Sequence, residues 1–164
     1  MLLEARNLTQ LDFNKLMNVY AEGNRENGAE LYPDSPAEVQ VARAEENFRE
    51  YLSQVFFRQS GAVYYIWEEN GSYVSALRLE PYQDGMLLEA LDTRPESRRQ
   101  GWSRRLIRSV QEKIPEGKLY SHVNRRNIPS QKVHESCGFR QVLDYAAYVD
   151  GSVNTYAVTL AWEK

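Results

Sequence analysis

The run Arg98-Arg99-Gln100-Gly101-Trp102-Ser103 stands between a predicted strand, Met86 to Thr93, and a predicted helix that opens at Gly101. Glycine permits positive φ and a close backbone approach. The first turn of a helix presents unpaired N–H groups at the positive end of its dipole. Together these make an anion cradle suited to a pyrophosphate. Arg98, Arg99, Arg104, Arg105 and Arg108 crowd the same entrance, where cations are electrostatically unfavourable, and a bound polyanion would remove that conflict. Taken alone, the run is better described as a solvated basic face beside an ordinary glycine turn. The other residues able to move protons are few. His122 falls on a second predicted strand, Lys118 to Asn124, and His134 in the short helix that follows; these are the only 2 histidines. Each also has the ordinary reading of a polar residue at a sheet edge or helix surface. Cys137 is the 1 cysteine; beside a helix end whose dipole disfavours a thiolate, it reads as a buried structural residue.

The segment Asn127-Ile128-Pro129-Ser130-Gln131-Lys132-Val133-His134-Glu135-Ser136-Cys137-Gly138-Phe139 changes the balance. An Arg/Gln-x-x-Gly-x-Gly/Ala loop followed by Asn, a short helix, an aromatic or polar residue and Gly-Phe, in this order and separation, resembles the GCN5-related N-acetyltransferase superfamily. The resemblance covers essentially the whole chain. It implies a sheet whose two parallel strands splay apart near their middles, with the acyl-CoA pantetheine lying in the gap like an added strand. It implies acetyl-CoA as co-substrate, its pyrophosphate on Arg98, Arg99, Gln100, Gly101, Trp102, Ser103 and Arg104. Leu91, Asp92 and Thr93 match the segment whose main chain pairs with pantetheine, and Asn127 matches an asparagine that contacts the same arm. Two positions depart from the family pattern. Ser103 stands where glycine or alanine is usual, and His134 stands where a tyrosine usually donates to the CoA sulfur. The resemblance therefore implies that His134 touches the sulfur and supplies the leaving-group proton. Glu89, on the first strand, matches a position where members often hold a base that acts through water; His122, on the parallel strand, is its competitor.

Composition sets the frame. At 164 residues, with 42% hydrophobic and 26% charged residues, the chain has the length and balance of one soluble globular domain, 1–164. No apolar run reaches membrane-spanning length, and the N-terminus lacks a signal-peptide pattern. A lone cysteine fits a reducing cytoplasm. Residues 1–97 carry 8 basic and 17 acidic side chains, whereas residues 98–164 carry 12 and 6, giving balances of −9 and +6. A basic half suits an anionic cofactor and an acidic half a cationic amine. With pI near 5.5 and one short basic stretch, nucleic acid is not an expected partner, and no ligand cluster for a metal is visible.

Periodicity supplies the elements. Leu2 to Leu8 reads as a strand, and Thr9 as the cap of a helix with Phe13, Leu16, Val19 and Tyr20 inward. Asn24 to Pro33 reads as a loop. Ser35 should cap a helix, with Pro36 in its first turn and Glu38 in a capping box; it runs to about Arg58 with Val41, Phe48, Tyr51, Leu52 and Val55 inward. Ala62 to Glu69 and Ser72 to Tyr82 flank the hairpin turn Asn70-Gly71, and Asp84-Gly85 turns into Met86 to Thr93. Trp102, Leu106, Val110 and Ile114 make the core stripe of the helix from Gly101 to Ile114. The short helix after Asn127 ends at Gly138. Phe139 to Val149 and Ser152 to Trp162 form a hairpin on Asp150-Gly151.

The resulting order, β-α-α-β-β-β-α-β-α-β-β, predicts an α/β fold around a mixed, mostly antiparallel sheet of about seven strands with about four helices. The functional expectation is an N-acyltransferase in which an amine attacks acetyl-CoA directly. The alternatives are a non-catalytic acyl-CoA-binding regulatory domain of the same fold and, on the loop alone, a nucleotide-phosphate binder. The acceptor is a small-molecule or peptide amine with no legible identity, and a homodimer is left open.

Overall fold

A computed structural model describes residues 1–164. In chain order it contains β1 (Leu2–Ala5), α1 (Phe13–Val19), α2 (Ala21–Leu31), α3 (Ala37–Gln54), β2 (Val63–Glu69), β3 (Ser72–Tyr82) and β4 (Gly85–Thr93). Then follow α4 (Trp102–Lys113), β5 (Lys118–Asn124), α5 (Ile128–Ser136), β6 (Arg140–Leu143), β7 (Ala146–Ala147), β8 (Val153–Asn154) and β9 (Ala157–Glu163). Seven strands form one sheet in the order β1-β2-β3-β4-β5-β9-β6, while β7 and β8 make a separate two-stranded ribbon. Only β4 and β5 are parallel, as their connection through α4 requires. No helix is long and apolar enough to cross a membrane.

Alternation along the strands feeds two cores. One face of the sheet sends Leu77, Leu79, Leu88, Leu119 and Val123 against Leu106, Ile107 and Val110 of α4. The other sends Tyr64, Ile66, Tyr73 and Ala76 against Leu16, Met17 and Val19 of α1, Leu52 of α3 and Phe56 in the turn that follows α3.

Several local expectations are corrected. The segment predicted as a loop from Asn24 to Pro33 is helical to Leu31. Glycine and asparagine are poor helix formers, but burial outweighs that local cost: Asn24 and Gly28 share the buried face, and a Cβ at Gly28 would collide with the Gln40 carbonyl of α3. Asp12, not Thr9, caps α1, its carboxylate accepting from the Lys15 N–H at 3.0 Å. The first strand stops at Ala5, and residues Leu8–Gln10 form a 3₁₀ turn instead. Ser35 makes no cap: α3 starts after Pro36 without a side-chain bond and ends at Gln54, which leaves Val55 50% exposed rather than inward. Asn70 and Gly71 have the positive φ of the expected hairpin turn, whereas the second turn uses Gln83 at φ 50. Gly85 is already in β4 and is needed for close approach, because a Cβ there would meet the Lys118 carbonyl. The predicted C-terminal hairpin is split, with β6 pairing to β9 and the ribbon β7–β8 between them.

The α2–α3 contact gives the first expected outcome. Gly28→Ala forces the two helices apart and lowers stability by about 1–3 kcal/mol, the usual cost of overpacking. Urea denaturation measures it; an unchanged midpoint would show that α2 is free to shift.

Candidate functional site

The site begins where the parallel pairing ends. β4 and β5 are in register at Met86–Leu119, Leu87–Tyr120 and Leu88–Ser121 and no further, so Glu89 and His122 are the first residues beyond the split. Just past it, β4 carries an extra residue: Arg78 pairs with Glu89 and Ala76 with Asp92, so Ala90 and Leu91 together oppose Leu77. This is a β-bulge, which bends the strand away from its neighbour. Ala90 adopts φ 51 within it. Its carbonyl accepts from the buried Tyr20 hydroxyl at 2.7 Å, and Tyr20 in turn accepts from the Tyr64 hydroxyl at 2.7 Å.

Beyond the bulge lies a cavity of about 860 Å³, bounded by the end of β4, the start of α4, α5 and the first turn of α2. It brings together Leu91, Asp92, Thr93, Arg98, Arg99, Gly101, Trp102, Ser103, Arg104 and Asn127, which the sequence motifs single out. It adds Glu22 and Ser97, which lie outside both motifs, and Pro129, Ser130, Lys132, Val133 and Ser136, which lie within the second motif without a role assigned there. The helical positions of the α5 group follow from its apolar-poor face after Asn127; Glu22 is hidden in the sequence because α2 itself is. Gly101 caps α4 at φ 80, ψ 12, with open space where a Cβ would stand. Arg99 is also left-handed at φ 62. Two left-handed residues ahead of an uncapped helix start with no acid in its first turn give a concave set of backbone N–H groups. That arrangement, with exposed Arg99 and Arg104 beside it, fits a pyrophosphate.

The serine at position 103 is put to use. Its hydroxyl lies 2.6 Å from that of Thr93, which lies 3.1 Å from that of Ser75, whose own hydroxyl donates to the Asp92 carbonyl at 2.8 Å. The chain of hydroxyls ties the start of α4 to the end of β4. Arg98 is equally committed, bonding Glu22, the Thr93 carbonyl at 3.1 Å and Asp92 at 3.5 Å. Asn127 caps α5, accepting from the Ser130 N–H at 3.2 Å. Trp102 does not enter the core as predicted. It is half-buried at the cavity wall, its ring centroid 6.2 Å from that of Trp67, with the Arg105 guanidinium over both rings. Gln100 lies outside the lining and accepts from the Trp102 indole N–H at 3.2 Å.

Glu89, His122 and His134 are not on the cavity wall. Glu89 lies on the α3 side of the sheet, where its carboxylate accepts from Nε and Nη2 of Arg78 at 3.0 and 2.8 Å. Burial, then a hydrogen bond with Glu80, pushes Glu89 up to about 7 against the pull of Arg78. Arg78 lies over the rings of Tyr51 at 4.8 Å and Phe56 at 5.4 Å. His122 packs edge-on against Tyr82 and Tyr148, and partial burial lowers its pKa.

His134 departs furthest from expectation. Its ring is 1% exposed, edge-on to Phe139, and Nδ1 lies 2.8 Å from the Ser130 carbonyl one turn back. A carbonyl only accepts, so Nδ1 carries the proton, and the neutral ring presents a lone pair at the unpartnered Nε2. Burial lowers its pKa against the opposing pull of the Ser130 carbonyl. An imidazole is shorter than a phenol, and here it is folded against its own helix. It presents no proton on its free edge.

The depressed pKa has a measurable consequence. The unfolded chain binds a proton at His134 near pH 6.5 while the native state resists it, so stability falls as pH drops below about 6.5. NMR of the imidazole nitrogens is expected to show the neutral Nδ1–H form at pH 6.5; an ordinary titration there would contradict the burial argument.

Three comparisons with known proteins bear on this geometry. A family model described as the acetyltransferase (GNAT) family matches residues 25–139. No curated protein matches the chain. Among solved structures, a PaiA N-acetyltransferase from Thermoplasma acidophilum in complex with coenzyme A is similar at TM-score 0.65 and 12% identity, over 100% of this chain and 99% of that one. The ribosomal-protein-S18-alanine N-acetyltransferase from Escherichia coli gives TM-score 0.57 and 19% identity, over 99% and 94%. An IAA acetyltransferase from Bacillus cereus gives 0.62 and 14%, over 100% and 99%. At these identities the likeness is one of fold.

Proposed function

Because the chain belongs to the acetyltransferase (GNAT) family, its residues 25–139 matching that family's model, we propose that it transfers an acetyl group from acetyl-CoA to the amine of an acceptor by direct attack. The observation that carries the reading is the continuity of the split, the bulge and the left-handed Gly101 cradle around one cavity. When bound, acetyl-CoA supplies an acyl group activated as a thioester. The chain's own residues do the rest. The backbone at Arg99 to Trp102, with Arg104 and Lys132, holds the phosphates. Beyond the split, Leu91, Asp92 and Thr93 offer main-chain groups to the pantetheine arm, with Asn127 at the opposite wall.

An amine must lose a proton to become a nucleophile, and a base is most effective when its pKa lies near the working pH. Glu89, raised to about 7, meets that requirement better than an ordinary carboxylate and reaches the amine through water. His122 is its rival. A neutral His134 with its proton on Nδ1 accepts rather than donates, so the departing thiolate takes its proton from solvent. That same feature supports a second reading, an acyl-CoA-binding domain without turnover. Following free thiol with acetyl-CoA and an amine panel separates the two: release of CoA thiol above the rate of hydrolysis requires the enzyme.

Two outcomes test the assignments. Gly101→Val has room for its side chain but a disfavoured φ of 80, so it folds with a loss of about 1–3 kcal/mol. Its CoA affinity falls at least about tenfold because the backbone amides turn away from the phosphates. Unchanged affinity in isothermal titration would move the cofactor elsewhere. For the base, kcat/KM rises with pH through about 7 in the parent protein, because only ionised Glu89 accepts a proton. Glu89→Gln abolishes that limb and lowers kcat/KM by roughly 10²–10⁴. A limb below pH 6.5 that survives Glu89→Gln and disappears in His122→Gln would transfer the role to His122, whose pKa is depressed from about 6.5.

A further inference from the structure

Leu88 of β4 packs on the α4 side of the sheet, and strict alternation from there would turn Thr93 to the opposite face. The extra residue at Ala90–Leu91 reverses that parity, so Leu91 returns to the α4 side and Thr93 pairs with Ser75 of β3. Thr93 is thereby buried between the hydroxyl of Ser75 and that of Ser103 in the first turn of α4. Ser75 is fully buried and lies outside the larger cavity, whereas Ser103 is half-buried on its wall.

Each of these hydroxyls owns one proton. Ser75 gives its proton to the Asp92 carbonyl, which can only accept, at 2.8 Å. The 3.1 Å contact between Ser75 and Thr93 is then a hydrogen bond only with Thr93 as donor. The 2.6 Å contact between Thr93 and Ser103 in turn requires Ser103 as donor. One ordering alone satisfies the whole chain, from Ser103 to Thr93 to Ser75 to the Asp92 carbonyl. It turns the Ser103 proton inward and leaves only lone pairs of Oγ for the cavity. The groups beside it are of the opposite kind. The backbone N–H groups around Gly101 and the side chains of Arg99, Arg104 and Lys132 are donors suited to phosphate oxygens. The Ser103 lone pairs would repel such an oxygen, so Ser103 marks where the phosphate cradle ends.

Resting on the cofactor reading above, we propose that Ser103 is a specificity-determining residue whose Oγ accepts a hydrogen bond from the hydroxyl of the pantetheine arm, and that the buried Ser75 is the positioning residue that sets its polarity. That hydroxyl is the first donor on the arm beyond the pyrophosphate. Ser103 stands between Gly101 of the cradle and Thr93, the end of the strand segment that faces the arm. A glycine or alanine at this position offers no such acceptor. The contact distinguishes CoA from a nucleotide that carries the same pyrophosphate and no arm.

Isothermal titration of the full chain with CoA, and with a CoA analogue whose arm hydroxyl is oxidised to a ketone, tests the proposal. The ketone has nearly the same shape but can only accept. The parent chain is expected to bind CoA at least about fivefold more tightly than the ketone, the effect of losing one neutral hydrogen bond. Ser103→Ala places a good helix former in the first turn of α4 and folds; it should bind the two ligands alike. Ser75→Ala takes away the acceptor of the Thr93 proton. Thr93 then donates to Ser103, the Ser103 proton swings into the cavity, and the preference shifts toward the ketone. A mere tie between β4 and α4 would instead lower both affinities together in either variant. Equal affinity of the parent for the two ligands, or a preference that survives Ser103→Ala, would overturn the contact while leaving the cofactor reading intact. A preference that Ser75→Ala leaves unchanged would overturn the polarity assigned to the chain. Failure of the parent to bind CoA at all would overturn the cofactor reading and this contact with it.

Discussion

Two residues of β4 opposing one of β3 at Ala90–Leu91 govern the architecture of this site, because the bulge re-aims everything downstream on the strand. A non-glycine residue at φ 51 costs on the order of 1–3 kcal/mol. The Tyr20 hydroxyl offsets part of that by taking the displaced Ala90 carbonyl, and Tyr64 completes the chain. Burial raises the pKa of Tyr20 well above its ordinary value and that of Tyr64 to about 12, so both remain donors at any working pH. Since Tyr20 sits at the junction of α1 and α2, the same bond fixes the helices that cover the Glu89 face of the sheet. The strand split and the helical layer are thus one mechanical unit.

Electrostatics around the split follow from placing carboxylates where water is scarce. Glu89 and Glu80 are close enough to share a hydrogen bond, and a like charge beside the partly buried Glu89 disfavours its ionisation. Arg78 prevents the conflict from becoming a fold defect, and its guanidinium is shielded by the Tyr51 and Phe56 rings. Breaking such a group from one side leaves the other charge uncompensated, which is more costly than never having built it. The result is a carboxyl poised near neutrality by its surroundings rather than by its own chemistry.

Where periodicity and turn chemistry agree, the sequence is legible. β3 and β5 have the bounds expected from their alternation, the Asn70-Gly71 turn forms, and α4 buries Leu106 and Val110 of its expected apolar stripe. Helix α2 is not legible because its glycines and asparagines argue locally for a loop, while their value lies in contacts with a helix still to come in the chain. Gly28 and Asn24, four residues apart on one face, are the available signal. The bulge leaves none: nothing in Leu88-Glu89-Ala90-Leu91 marks Ala90 as left-handed, and the carbonyl that stabilises it is answered from 70 residues away. His134 is placed by the motif in sequence but not in space, since reach and tautomer depend on the Ser130 carbonyl behind it.

The arginine cluster shows why counting charges in a sequence overstates a binding site. Arg98 spends its donors on Glu22, Thr93 and Asp92, joining α2, β4 and the loop. Arg105 lies over Trp67 and Trp102, and Arg108 donates to the Ser136 carbonyl at 3.1 Å. These cations build walls. Among the cavity residues, Arg98, Arg99, Arg104 and Lys132 face Glu22 and Asp92, and the ion pairs cancel Arg98 against the acids. What remains for a polyanion is Arg99, Arg104 and Lys132 around the backbone amides at Gly101. A compact cradle with few free cations favours a ligand whose charge is concentrated on adjacent phosphates over one whose charge is spread along a strand.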